Sequence, residues 1–299
     1  MPTGADNAVS GAAPTTSTVP PAVQLRDMTA ADLPAAHALS RQAQWPHRLK
    51  DWDFLLAAGI GIVAERDGEI VGTTLAWLYG EDCASLGMVI VAADCRGGGV
   101  GRRLMNAMLA RLEGRTVQLN ATEVGLPLYK QLGFASTGGI HQHQGTPSSV
   151  PIVSLRAGER VRPMGKGDLA AIVDLDRKAT GLERRDLLAR VLKAGKGVVL
   201  DRGGEAAGFT IFRRFGMGFA IGPAVAPDAQ GAKALISHWL GSNAGMFSRI
   251  DIPYESGLGA WLGDLGLPEV GRVTTMVRGP APSRDTSAAT FAILSQALG

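Results

Sequence analysis

The apolar positions of this chain follow two rhythms, and their alternation is the first guide to its fold. Runs rich in Val, Ile and Leu at 60–66, 70–79 and 84–91 predict strands, with Asp67-Gly68 as a tight hairpin between the first two. The period then changes. Val100, Leu104, Met108 and Leu112 recur about every 3.6 residues and predict a helix over 99–113. Around this centre the pattern predicts a strand at 23–27, helices at 31–43 and 50–58, a strand at 116–121, a helix at 125–132 and a strand at 134–143. Pro127 suits a first helical turn, and Gly133 suits the left-handed residue that ends one. The predicted class is α/β, a mixed sheet with helices on both faces.

The pattern then repeats. Leu25-Arg26-Asp27-Met28 through Asp32-Leu33 is echoed by Val161-Arg162-Pro163-Met164 through Asp168-Leu169, and Val63 to Gly72 by Val199 to Gly208. Val91 to Gly97 finds a counterpart in Val225 to Gly231, and Leu132-Gly133-Phe134 in Leu265-Gly266-Leu267. The offset stays between 133 and 136 residues, so the chain reads as two similar domains in tandem. Expected boundaries are a disordered leader at 1–22, a first domain at 23–145, a linker at 146–158, a second domain at 159–279 and a C-terminal tail or helix at 280–299.

Composition narrows the function. A 299-residue chain with 45% hydrophobic residues can bury two cores. A net charge of +3, with no basic run interleaved with aromatics, gives no footprint for nucleic acid. No apolar run reaches membrane-spanning length, and the leader has neither the basic start nor the apolar centre of a signal peptide. Cys83 and Cys95 are the only cysteines, and no Cys/His spacing suits a metal. The expectation is a reduced, cytoplasmic protein without metal.

The chemistry concentrates in Arg96-Gly97-Gly98-Gly99-Val100-Gly101-Arg102, which joins a predicted strand to a helix. Glycines at a helix mouth free backbone N–H groups to face an anion at the positive end of the helix dipole. The spacing matches neither the triphosphate loop nor the dinucleotide fingerprint, where position 102 would be Gly. The Arg-x-x-Gly-x-Gly order after a strand, followed about 30 residues later by Leu128-Tyr129 and Leu132-Gly133-Phe134, resembles the GNAT acetyltransferase superfamily. The resemblance extends from Val23 to Gly279 and weakens in the second half. There Ala232-Lys233-Ala234 replaces the glycine cradle, and Leu262 falls where Tyr129 would recur. The chain is similar to tandem GNAT proteins with a catalytic N-terminal and a degenerate C-terminal domain.

That resemblance implies acetyl-CoA as co-substrate and direct transfer of its acetyl group to an amine in a ternary complex. It implies a diphosphate held by Arg96 to Arg102, pantetheine along the backbone of Val89, Ile90 and Val91, and Tyr129 as the acid for the departing thiolate. Asn120 could bond the cofactor or cap the next helix. The base stays open between Glu81 or Asp82 in a turn and His141 with His143, whose alternation places both on one strand face. Trp45, His47 and Arg48 could clamp a carboxylate-bearing amine, and Asp176, Arg184 and Arg185 could line an inter-domain pocket. The expected acceptor is a small-molecule amine, with a protein lysine or N-terminus, or a non-catalytic CoA-binding module, as the alternatives. The second domain would shape the acceptor pocket or form a homodimer contact.

Overall fold

The computed structural model describes residues 23–299, so the leader at 1–22 lies outside the described residues. The first half runs β1 (Gln24–Asp27), α1 (Leu33–Gln42), α2 (Leu49–Ala57), β2 (Ile60–Arg66), β3 (Glu69–Tyr79), β4 (Cys83–Val91), α3 (Val100–Arg111), β5 (Thr116–Ala121), α4 (Leu126–Gln131) and β6 (Ala135–Gly145). The second half repeats that order as β7 (Glu159–Pro163), α5 (Leu169–Thr180), α6 (Arg185–Ala194), β8 (Gly195–Arg202), β9 (Glu205–Phe215), β10 (Gly218–Ala226), α7 (Ala229–Ser242), β11 (Ser248–Pro253), α8 (Gly259–Asp264) and β12 (Glu269–Arg278). A last strand, β13 (Ala289–Ala292), follows.

Local chemistry explains the repeated elements. Asp67 and Gly68 both take positive φ, as a two-residue hairpin between β2 and β3 requires. Val100, Leu104, Met105, Met108 and Leu109 bury one stripe of α3 against the sheet. The echoed Arg and Asp near each domain's start are a staple. Arg26 makes a forked ion pair with Asp32 at 2.7–2.8 Å, and Arg162 makes the same pair with Asp168 at 2.8 Å. In each half this fastens the first strand to the head of the first helix.

The two halves share one sheet. Its order is β1-β2-β3-β4-β5-β12-β6-β11-β10-β9-β8-β7, with β13 paired to β10. The central four strands alternate between halves: β12 of the second half lies between β5 and β6 of the first, and β6 lies between β12 and β11 of the second. The halves have thus exchanged their last strands. One core also crosses between them, joining Trp52, Leu75 and Met88 to Ile172, Leu188 and Phe209.

Two gaps open in this sheet. Parallel β4 and β5 pair only from Cys83 to Ser85 against Thr116 to Gln118, then splay. Parallel β10 and β11 pair only at Phe219 and Ala220 before they splay in turn. The second gap is closed by the chain itself: β13 pairs with β10, and the Ile293 N–H donates to Asp251 O on β11. Where a C-terminal tail or helix was expected, the segment forms this strand and a terminal turn, because the half-open β10 and β11 expose backbone donors and acceptors that only an added strand can pair.

Candidate active site

The splay of β4 and β5 leads to a cavity of about 300 Å³ between the two halves. Its floor is β4 from Leu86 to Val89, where a β-bulge puts one extra residue opposite β3. Met88 takes φ +54 at the bulge, a conformation rare for a side chain of its size, and its carbonyl accepts from the buried Thr73 hydroxyl at 2.7 Å. At the bulge Met88 and Val89 drop out of the register with β3. Ile90 stays in the core, as an apolar strand residue should.

Beyond Val91 lies the glycine loop. Gly97 and Gly99 take φ +80 and +78, and a Cβ added at either would point into open space. Gly99 caps α3, and the Arg103 N–H donates back to Gly99 O at 3.0 Å. The N–H groups of Val100, Gly101 and Arg102 have no intrahelical acceptor by virtue of their position. Gly101 lets α3 sit against Val91 and Leu128, and Val100 is buried beneath the loop. Arg96 donates to Val91 O at 3.2 Å, while Arg102 bonds Gln131 at the surface. An unobstructed fan of backbone donors beside arginines fits a diphosphate, and the open strands beside it fit an extended thioester arm.

Tyr129 on α4 lies on the cavity wall. Its ring packs edge-on to Phe134 and closes over Gly125, where a Cβ would sit 2.7 Å from the ring. Burial pushes its phenol up to about 12, so it remains a proton donor across the working range of pH. Among the described residues its hydroxyl makes no hydrogen bond, leaving it available to a ligand.

The other predicted site residues divide between this cavity and other places. Asn120 faces the cavity and anchors the C-terminal segment: its amide donates to Gln296 O at 2.9 Å and its oxygen accepts from Thr275 at 2.8 Å. Glu81 sits exposed in the β3–β4 turn, outside the cavity lining. His141 and His143 do share one face of β6, but that face looks onto a second, smaller cavity beside Tyr254 and Gly259. There His141 meets Glu269 at 2.8 Å, and His143 hydrogen-bonds Leu267 O at 2.8 Å. The alternation that joins the histidines sends Gln142 to the cavity holding Tyr129. Trp45 and His47 line that cavity, whereas Arg48 turns away to clamp Asp51 through two bonds of 2.6–3.0 Å. Asp176 and Arg184 form a fully buried forked pair, and Arg184 Nη1 also reaches Gly299 O at 2.6 Å and Leu298 O at 3.3 Å. Arg185 is exposed.

Family models for GNAT acetyltransferases match this architecture twice, the acetyltransferase (GNAT) family over residues 23–134 and an acetyltransferase (GNAT) domain over 172–292. The chain belongs to the GNAT acetyltransferase family, as a tandem of two such domains. This tandem GNAT chain is 27% identical over 191 residues to the uncharacterized N-acetyltransferase YitH of Bacillus subtilis, covering 63% of its own length and 66% of that protein's. Its fold resembles a putative acetyltransferase from Pyrococcus horikoshii (TM-score 0.77, 19% identity, 93% of this chain and 96% of the other). It also resembles a tandem GNAT protein from the clavulanic acid biosynthesis pathway (TM-score 0.61, 15% identity, 87% and 100%). At such identities the structural likeness establishes the fold alone. Acetyl transfer from acetyl-CoA is the chemistry of this family. Among the described residues no helix is long and apolar enough to cross a membrane.

Sequence reasoning offered the second half as a wall of the acceptor pocket but missed the residues that line the cavity. Arg213 and Phe215 from β9, Arg249 from β11 and Gln296 from the terminal segment all line it. One signal was present: Phe209, Ile211, Arg213 and Phe215 share a strand face, and an arginine among inward-facing apolar residues is out of pattern.

Proposed function

We propose that this chain is an N-acetyltransferase for a small-molecule amine, with acetyl-CoA bound only in the first half. The observation that carries the reading is a cavity lined by the splayed β4 and β5 and by Tyr129, with the open glycine loop following directly on from β4. Walls drawn from both halves favour a small acceptor over a protein segment, since Trp45, Phe54 and Phe215 close around the space beside Tyr129.

Acetyl-CoA supplies an activated acetyl thioester. The loop from Gly97 to Arg102 would hold its diphosphate, and the β4 backbone its pantetheine. Tyr129 would donate its proton toward the sulfur as negative charge develops there, which a phenol held near 12 does without ionising beforehand. Deprotonation of the amine has a weaker candidate. Asp51 is the carboxylate of the cavity wall, and it already accepts from Arg48 and from the backbone of Arg48 and Gly216. His47 is half-buried, with its Nδ1 enclosed and lacking a partner, but desolvation lowers its imidazole to about 4. His47 therefore suits a hydrogen bond to a neutral amine better than removal of a proton from an ammonium.

The test is incubation of purified protein with acetyl-CoA and a broad amine panel, following free thiol release and the acetylated product. Thiol release with at least one small amine is expected. Turnover only with peptide lysines or N-termini, or none at all despite tight CoA binding, overturns the reading.

A further inference from the structure

The cavity beside Tyr129 holds an unbalanced buried charge. Three guanidinium groups, those of Arg48, Arg213 and Arg249, stand near two carboxylates, Asp51 and Asp251. Four of these five groups are paired off. Arg48 clamps Asp51, and Arg249 grips Asp251 with three contacts of 2.9–3.0 Å. Arg213 is left over. Of its five N–H donors, one meets Leu294 O at 3.2 Å, and its Nε is buried with no partner among the described residues. His47 adds nothing to this charge, because burial, with the nearby Arg249, keeps its imidazole neutral.

A buried cation without a carboxylate is costly, and desolvation lowers even this guanidinium to about 10. Packing partly supports it, since Arg213 lies 4.9 Å above the Phe215 ring and Arg249 shares that ring at 5.5 Å. The ring offers no hydrogen-bond acceptor for the spare donors. The charge is thus held in readiness on the wall of the same cavity that Tyr129 faces.

We propose that the acceptor carries a carboxylate and that Arg213 receives it, so that the substrate is an amino-acid-like zwitterion rather than a plain amine. This rests on the acetyltransferase reading and narrows its substrate class. One surplus positive charge matches a monoanion, and the planar fork of a guanidinium matches a carboxylate through two parallel bonds. A carboxylate held there leaves the amine of the same small molecule free to face Tyr129 across the cavity. Selectivity then comes from the second half, whose Arg213 and Phe215 complete a site begun in the first.

The test compares matched pairs, each an amino acid and its carboxamide, with wild type, Arg213→Gln and Arg213→Lys. Wild type should favour the acid by at least tenfold in kcat/KM. In Arg213→Gln the acid's kcat/KM should fall at least tenfold further than the amide's, mostly through KM, and Arg213→Lys should recover part of the difference. Retained CoA binding shows that each variant is folded. Equal use of acid and amide by wild type, or equal losses in Arg213→Gln, overturns the proposal while leaving the acetyltransferase reading intact. If no amine is acetylated, titration calorimetry of the same acids onto protein saturated with free CoA decides the point. Binding that Arg213→Gln abolishes upholds the carboxylate site although the proposed reaction has failed, and no binding by wild type overturns the site itself.

Discussion

Tyr129 and His47 face one cavity, and burial moves them in opposite directions. A phenol and an imidazole both favour their neutral forms when water is removed, so the phenol rises to about 12 and the imidazole falls to about 4. For Tyr129 the consequence is chemical. Tyr129→Phe keeps the ring that packs on Phe134 and removes only the proton, so kcat should drop by about 10²–10⁴-fold, with the dissociation constant for acetyl-CoA nearly unchanged in calorimetry. An unaltered kcat would make the tyrosine a packing residue. For His47 the consequence is stability. Its folded value lies below the ordinary 6.5, so the unfolded chain binds the proton first, and stability present above pH 6.5 is lost as pH falls toward 4. That gap corresponds to roughly 3 kcal/mol. Urea midpoints taken from pH 7 to 4.5 should fall more steeply in wild type than in His47→Gln; parallel slopes would contradict the burial argument. Asp32, held down near 2 by its bonds to Arg26, titrates below this window and does not blur it.

At the scale of elements, the segment after β12 has two jobs. Its strand β13 fills the gap between β10 and β11, where the second half would otherwise be open as the first half is between β4 and β5. Its last residues then cross to the first half, where Tyr79 bonds Leu298 O, Ser85 bonds Ala297 O and Asn120 bonds Gln296 O, all within 2.9 Å. Arg184 holds the far end while paired to Asp176. Arg184→Met would strand the Asp176 carboxylate in the core, and a loss of about 3–5 kcal/mol is expected; chemical denaturation showing less than 1 kcal/mol would mean that the pair is dispensable. Little of this arrangement was legible beforehand. The helix over 99–113 and the strands around it could be read because their signals are local: one apolar stripe, one Asp-Gly turn, one glycine cluster. Tyr129 was legible for the same reason. The exchange of β6 and β12 was not, because a period of two records which face a residue takes and not which distant strand lies beside it. His141 and His143 illustrate the limit, since their shared face could be read but not the cavity it faced. Arg213 required the partner domain to be in place before its isolation became visible.

Across the whole molecule, the exchanged strands make the halves interdependent. Without β12, β5 and β6 would lose their shared neighbour and present bare edges, so the first half is not a separable enzyme. Yet the halves divide the work unequally. The first keeps an open gap with a glycine cradle at its mouth. In the second, Asp228 caps α7 through the Gly231 N–H, Gly231 itself is buried against Leu200, and β13 occupies the gap. A diphosphate there would meet a capping carboxylate and no free fan of donors. Equilibrium titration of the full chain should therefore saturate at one acetyl-CoA per chain. Gly99→Glu places a carboxylate and a strained left-handed residue at the head of α3, and should weaken binding at least tenfold, about 1.4 kcal/mol, without exposing a second class of sites. Two equivalents bound by wild type, or a full equivalent still bound tightly by folded Gly99→Glu protein, would mean that the second half binds cofactor despite its filled gap.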